Sequence, residues 1–403
     1  MNDLRFNTTL TQKEIERENE MPIFERKICT EYMRKILLIL ILTVYGQALF
    51  AQSGQKWLNY RGNNQMQGIT TVTFPAKVKL KWSYDADGIF KSAPVISDGK
   101  IVVGSTSGEL LCIDMNGKLL WNFKTENAFE APALIHEGVV YAGNLSGMLY
   151  AIDLNTGKKK WEYKTDNQIM GAPSFAEAGG KKIIVAGSYD FFLHGVDAQT
   201  GKGLWKYESD NYLNSAPAIH NQKAIFGGCD GFLHQVLLTS GKAASKTQIA
   251  TYVASSPAID GNKAFVGDYD GGFSCIDLSS SKVVWKFENK ESNLPFIASA
   301  SVINDRVIIG SRDKNIYCFN KANGKIQWKT NTGVRVDAST VVNSKEVLAV
   351  NMRGDVMLLD IQTGKKIWNY ELGTGVMNTP AVIDGAIVLA GSDGNLYLLA
   401  ASK

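Results

Sequence analysis

Tryptophans recurring about every 40 residues, a second series of short small-residue motifs at the same period, and no stretch with a sustained helical period together predict an all-β fold. The expected architecture is an eight-bladed β-propeller of four-stranded antiparallel blades, the ring closed by the N-terminal strand.

The tryptophans are Trp82, Trp121, Trp161, Trp205, Trp285, Trp328 and Trp368. The one double gap is filled when TGKKKW is aligned with TSGKAAS, which puts Ser245 at the missing place and gives eight positions. The second series reads SAPVI, EAPAL, GAPSF, SAPAI, SSPAI, SASVI, DASTV and NTPAV, beginning near residues 92, 130, 171, 215, 255, 299, 337 and 378. After each motif comes a turn such as Asp98-Gly99 or Asp384-Gly385, then a β-rich run such as KIVVGS. A second turn, a run such as MLYAID and a Gly-Lys stretch ending in Trp complete the unit. Asp-Gly and Asn-Gly pairs between short β-branched and aromatic runs are hairpin signals, so each unit reads as a meander of four strands. A lone meander leaves both faces bare, and neighbours must stack on it. The first Trp strand, around Lys79–Tyr84, has no unit before it, whereas the last unit stops at NLYLLAASK without a Trp strand. One end supplies what the other lacks, which favours a closed ring.

Ahead of the repeats, MRKILLILILTVYGQALFAQ carries Arg34 and Lys35, an apolar run over Ile36–Val44 and small-residue cleavage chemistry near Ala51. This pattern is a secretory signal peptide over 33–51, too short for a membrane span. Residues 1–32 precede a complete signal and read as a start-site artefact, with translation beginning at Met33; 52–78 is a lead-in and 79–403 the propeller. No cysteine stands at the cleavage site, so the expected location is periplasm or cell surface without a lipid anchor. No transmembrane span is expected after signal cleavage. Lys plus Arg total 43 against 39 for Asp plus Glu, a balance too even and scattered for nucleic acid. Cys112, Cys275 and Cys318 share one repeat position with Ala151, Gly195 and Leu358, which makes them small buried residues rather than a disulfide frame.

The stretch AIDLNTGKKKW sets Ala151, Gly157 and Trp161 at a spacing repeated by Gly195/Gly201/Trp205, Cys318/Gly324/Trp328 and Leu358/Gly364/Trp368. It resembles the tryptophan-docking motif of the PQQ-type repeat propellers, over about residues 79–403, and WLNYRGNNQMQG at Trp57 resembles their lead-in. The resemblance implies that each of the seven tryptophans packs between blades, against the small residue of its own unit and the peptide planes of the next. Ser245 then forfeits packing of about 3 kcal/mol or more unless its blade has compensated, and that blade is expected to be the softest. Ser281 departs from the motif's glycine before Trp285.

The family holds two kinds of protein. Quinoprotein dehydrogenases add a vicinal cysteine pair, long insertions and ligands for calcium beside the quinone; this chain has no Cys-Cys or CxxCH and barely any insertion. The other kind is exported, non-enzymatic and works in outer-membrane barrel assembly; size and blade count favour it. The expected function is a monomeric, cofactor-free scaffold that binds protein segments of envelope or outer-membrane proteins. The alternative is a dehydrogenase using PQQ with calcium, or a small-ligand sensor, in the central funnel.

Single residues point to little chemistry. His194 and His234 share one strand position on adjacent blades and are too few for structural zinc, so they read as outward-packing strand residues. His136 and His220 lie beside turns and read as surface residues. Asp114, Asp153, Asp197, Asp277 and Asp360 are one repeated position, expected to bond turns rather than calcium. Variation between repeats is more informative. At the start of the innermost strands most units carry Ser or Gly, while Glu130, Asp337 and Asn378 are larger and polar, with Lys91 and Arg335 close by. These five are expected to form a polar patch at the funnel mouth that recognises a ligand or partner.

Overall fold

The structure, a computed structural model, describes residues 55–253 and 255–402. The expected signal peptide over 33–51 and the residues before it lie outside the described residues. Eight four-stranded antiparallel sheets follow one another around a ring. Blade 2 shows the pattern: inner strand Leu134–His136, then Val139–Gly143 and Met148–Asp153, then outer strand Lys159–Lys164. The middle strands are buried almost throughout because a blade lies against each of their faces, while the outer strand alternates between half-buried and exposed positions. Blade 8 takes its outer strand from the other end of the chain. Val78–Asp85 pairs antiparallel with Asn395–Ala401, in the register Val78↔Ala401 through Asp85↔Asn395.

A β-bulge interrupts every outer strand one residue before the tryptophan position, as between Ala151 and Ile152 opposite Trp161. The bulge re-aims the following side chain, and the ring is delivered to the next blade. Trp121 donates its indole N–H to the Leu154 carbonyl at 2.8 Å, Trp161 to Ala198 at 3.0 Å, Trp205 to Leu238 at 2.7 Å and Trp328 to Ile361 at 2.9 Å. Trp82 and Trp285 do the same to Met115 and Lys321, and Trp368 reaches Pro75 in the lead-in. The motif's glycine therefore serves the preceding blade's ring as well as its own turn. A Cβ at Gly157, where φ is +69°, would stand 2.8 Å from Trp121 Cγ. The ring needs the bare backbone.

At the blade 4–5 junction three substitutions fit together. Ser245 replaces the ring, Ser281 with φ +54° occupies the glycine site under it, and Gln235 stands at the small-residue position paired with Ser245. Gln235 is buried and its Nε2 donates at 2.8 Å to the Leu278 carbonyl, the repeat equivalent of the carbonyls that accept from the tryptophans. An amide from the adjacent strand reproduces the missing hydrogen bond, which is the compensation that the missing ring calls for.

The lead-in closes one end of the central channel. Trp57 exchanges two hydrogen bonds with Ile96 of blade 1, and the carbonyls of Leu58, Asn64, Gln65, Gln67 and Gly68 accept from Ile135, Ile219, Ile259, Val302 and Val342. Asn64 also donates to the Phe175 carbonyl of blade 3. One segment thus satisfies the free inner edges of blades in turn, which would otherwise line the channel with unpaired N–H groups. Arg61 lies fully buried within this plug, donating to the carbonyls of Thr340 and Ala300 and to Ser301 Oγ. Its guanidinium rests where a side chain on Gly68 would be.

Candidate functional site

On the other side of the plug the channel is a blind well of about 620 Å³. Tyr60, on the lead-in beside Arg61, reaches into it and hydrogen-bonds Ser339 at 3.2 Å. A stair of hydroxyls builds the adjoining wall. Ser256 Oγ accepts from Ala216 N–H, Ser299 Oγ from Ser256 N–H, and Ser339 Oγ from Ser299 N–H, tying blades 4 to 7 together. Gly171, next to the first step of the stair, is a packing requirement, since a Cβ there would stand 2.5 Å from the Ser215 carbonyl oxygen.

The five residues singled out from repeat variation divide. Lys91, Glu130 and Asn378 line the well, Lys91 pairing with Glu130 at 2.8 Å and Asn378 donating to the Phe90 carbonyl at 3.2 Å. Asp337 is buried, and the guanidinium that clamps it is Arg312, through Nε and Nη2 at 3.1 Å each. Arg335 is half exposed, 3.5 Å from Asp337, and is not among the residues lining the well. The cation facing the cavity on this side is Arg312, whose pKa the hydrogen bond to Asp337 raises. Sequence reasoning passed over Arg312 because only the inner-strand motif was compared between repeats. In the turn after the second strand it stands where other blades have Thr106, Leu145, Tyr189, Cys229, Tyr269, Met352 and Ser392, and that comparison would have exposed it.

His194 and His234 are fully buried rather than outward-facing. Each bridges two blades: His194 meets Tyr163 OH through Nδ1 at 3.1 Å and Asp190 through Nε2 at 3.0 Å. His234 repeats the arrangement with Tyr207 and Asp230 at 3.0 Å each. Burial pushes the Asp190 carboxyl up, but the hydrogen bond and charge of His194 and two backbone N–H groups outweigh it and hold it at about 2. A depressed carboxyl contributes stability above its unfolded value that is lost as pH falls through its folded one. Asp190→Asn is therefore expected to remove about 2 kcal/mol at pH 7 and to flatten the loss of Tm between about pH 4 and pH 2. A thermal-unfolding series across pH checks it, and an unchanged slope contradicts it. His136 is also only partly exposed, its ring stacked on Phe175 at 3.4 Å between centroids, and His220 is half-buried.

The repeated aspartates bind their own turns, as Asp153 Oδ1 does in accepting from Asn155 N–H, Thr156 N–H and Thr156 Oγ–H. Cys112, Cys275 and Cys318 are buried, and burial pushes each thiol up to about 12. Among the described residues no cluster of three or more His, Cys, Asp or Glu is placed to hold a metal. Calcium takes six to eight oxygen ligands, usually with free carboxylates among them. The carboxylate lining the well, Glu130, is engaged by Lys91, and the nearby Asp337 is clamped by Arg312. That donor set does not fit calcium beside a quinone.

The chain matches a sequence model of the family described as outer membrane protein assembly factor BamB, over residues 75–287, 130–330 and 312–403. Among solved structures, BamB from Moraxella catarrhalis superposes with TM-score 0.68 at 19% identity, covering 80% of this chain and 98% of that one. A europium-containing methanol dehydrogenase superposes at 0.71 with 12% identity, covering 88% of this chain and all of the other (100%). The quinohemoprotein alcohol dehydrogenase from Comamonas testosteroni gives 0.71 at 14% identity, over 88% of this chain and 82% of that one. These likenesses establish the fold. A curated relative, the human beta-alanine-activating enzyme, is 33% identical over 101 residues, 23% of this chain, which spans 9% of that protein's length. No described helix is long and apolar enough to cross a membrane. The repeats, the docked tryptophans and the sequence match place this chain in the BamB-type family of PQQ-repeat propellers.

Proposed function

We propose that this protein is an exported, non-enzymatic scaffold of the cell envelope that binds segments of other proteins by adding them as a further strand to its blades. The observation that carries this reading is the state of the outer edges. Edge strands are normally protected by charge, and blade 2 carries Lys159 and Lys160 there. Blade 1 instead exposes Leu119 and Leu120, blade 5 Val283 and Val284, blade 6 Ile326 and blade 7 Ile367, all between 37% and 51% exposed. An apolar, hydrogen-bonding edge is what an extended segment recognises: the main chain gives affinity and the side chains give choice. The name borne by the matched family, an assembly factor for outer-membrane proteins, agrees with a partner that is itself rich in strands.

The test is capture from envelope extract with the purified protein as bait. Recovery of outer-membrane barrel proteins or their assembly factors, lost when Val283→Lys and Val284→Lys are combined, is the expected result. Equal recovery by the variant overturns the edge as the site. The quinone-dependent alternative is checked by adding quinone and calcium and recording absorbance. No stoichiometric chromophore and no dye-linked alcohol oxidation are expected.

A further inference from the structure

The funnel face carries a feature that binding at the blade edges does not use. On blades 3, 4 and 5 the turn after the second strand is tied to the segment leading into the inner strand, by Tyr189 N–H to Gln168, Cys229 N–H to Tyr212 and Tyr269 N–H to Tyr252. On these three blades the tied turns and segments carry aromatic rings, which meet in two groups. Tyr189 and Tyr212 stack at 4.8 Å, Phe191 lies 5.0 Å from Tyr212, and Tyr252 meets Tyr269 edge-on at 6.5 Å. Four of them remain widely exposed: Phe191 39%, Tyr212 41%, Tyr252 44% and Tyr269 45%. Tyr269 is also a wall of the well, so the second group runs into the cavity. Two such groups of exposed aromatics on neighbouring blades, beside a concave site, mark a binding surface rather than chance exposure.

We propose that the well and these aromatics bind a neutral saccharide chain, one end seated in the well and following units laid on the tyrosines. Three properties select that chemistry. First, the cations lining the well are already matched, Lys91 by Glu130 and Arg312 by Asp337, so an anionic ligand would gain no free charge and would have to displace a carboxylate. Second, the polar groups that remain are planar amides and hydroxyls. The Oδ1 of Asn214, on the wall, is buried with no hydrogen-bond partner among the described residues. Ser256 and Ser299 accept backbone N–H groups, which leaves their own hydroxyl hydrogens to give. Sugar hydroxyls both donate and accept, and can meet all of these at once. Third, tyrosine faces offer a flat apolar platform with a polar edge, suited to a ring with one C–H face and a rim of hydroxyls. The volume, about 620 Å³ in a cavity closed by the lead-in, lies in the range of small-ligand sites. A peptide would call for a deep apolar socket or a free strand edge, whereas the well wall interleaves Asn214, Ser215, Ser256, Ser299 and Asn378 with its apolar residues.

This proposal stands apart from the blade-edge reading, since the two use different faces and different variants. The test is saturation-transfer NMR and calorimetry on the full chain with chitotetraose, cellotetraose and maltotetraose, with tetragalacturonate as the acidic counterpart. At least one neutral tetrasaccharide is expected to bind, more tightly than tetragalacturonate. Tyr269→Ala and Asn214→Leu should each weaken it about tenfold or more, with thermal unfolding unchanged to show that the fold persists. The double lysine variant of blade 5 should bind saccharide normally. The proposal falls if no neutral tetrasaccharide gives transfer at millimolar concentration. It falls equally if tetragalacturonate binds more tightly, if Tyr269→Ala binds as well as the parent, or if a barrel-derived peptide competes for the well.

Discussion

Trp328→Ala is expected to lower the stability of the ring by about 4 kcal/mol, measured by chemical denaturation. Trp328 is 8% exposed, lies over Gly364 and donates to the Ile361 carbonyl of the next blade. Truncation removes one of the largest apolar areas in the protein, leaves a cavity that the backbone on both sides cannot close, and orphans a carbonyl. The blade 4–5 junction offers the control. There the ring is absent, so Ser245→Trp alone should destabilise: the Ser281 side chain and the Gln235 amide stand where the indole would go. Restored together with Gln235→Ala and Ser281→Gly, the same tryptophan should stabilise relative to the parent. The three positions are in contact, so their effects should be strongly non-additive. Gln235→Ala by itself is expected to cost about 2 kcal/mol, through the lost bond to Leu278 and the void left behind. Additive effects across the triple variant would refute the compensation.

Arg61→Ala is expected to release the floor of the well, at a cost of about 3 kcal/mol. The guanidinium is fully buried without a carboxylate partner, and burial pulls its pKa down to about 10, only partly offset by Tyr60, so it stays charged near neutrality. What holds it is hydrogen bonding to two carbonyls and a hydroxyl from blades 6 and 7. Charge-assisted bonds of this kind contribute roughly 1.5–3 kcal/mol each, and relief of the desolvation penalty returns part of their sum. Hydrogen exchange is the direct readout. Residues 57–72 should lose protection while the middle strands of the blades keep theirs. Retained protection across the lead-in would show that its backbone bonds suffice without Arg61.

The ring and its order were legible in the chain because they follow from local chemistry repeated. Hairpin turns such as Asp98-Gly99, period-two outer strands and a fastener recurring at Trp82 through Trp368 specify a blade each time, and a surplus strand at one end answers a deficit at the other. The lead-in was recognisable as WLNYRGNNQMQG, but its role as the floor of a well was not. That role depends on inner-strand edges brought together from blades 1 to 7, far apart in sequence and each needing a hydrogen-bond partner. The same limit applies to the site. Lys91, Glu130 and Asn378 stood out as departures from the repeat, whereas Arg312 displaced Arg335 because the cation that reaches the cavity is chosen by which turn overhangs it. Ser245 and Ser281 each looked like a lapse when read in line, and Gln235 drew no notice. Only the packing of blade against blade makes them one substitution, since a hydrogen bond or a filled volume belongs to whichever atoms meet in space. Sequence alone thus determined the kind of unit, its number and the closure of the ring. The tertiary structure decided which departures from the repeat face one another, and so where the well, its paired charges and its aromatic rim lie.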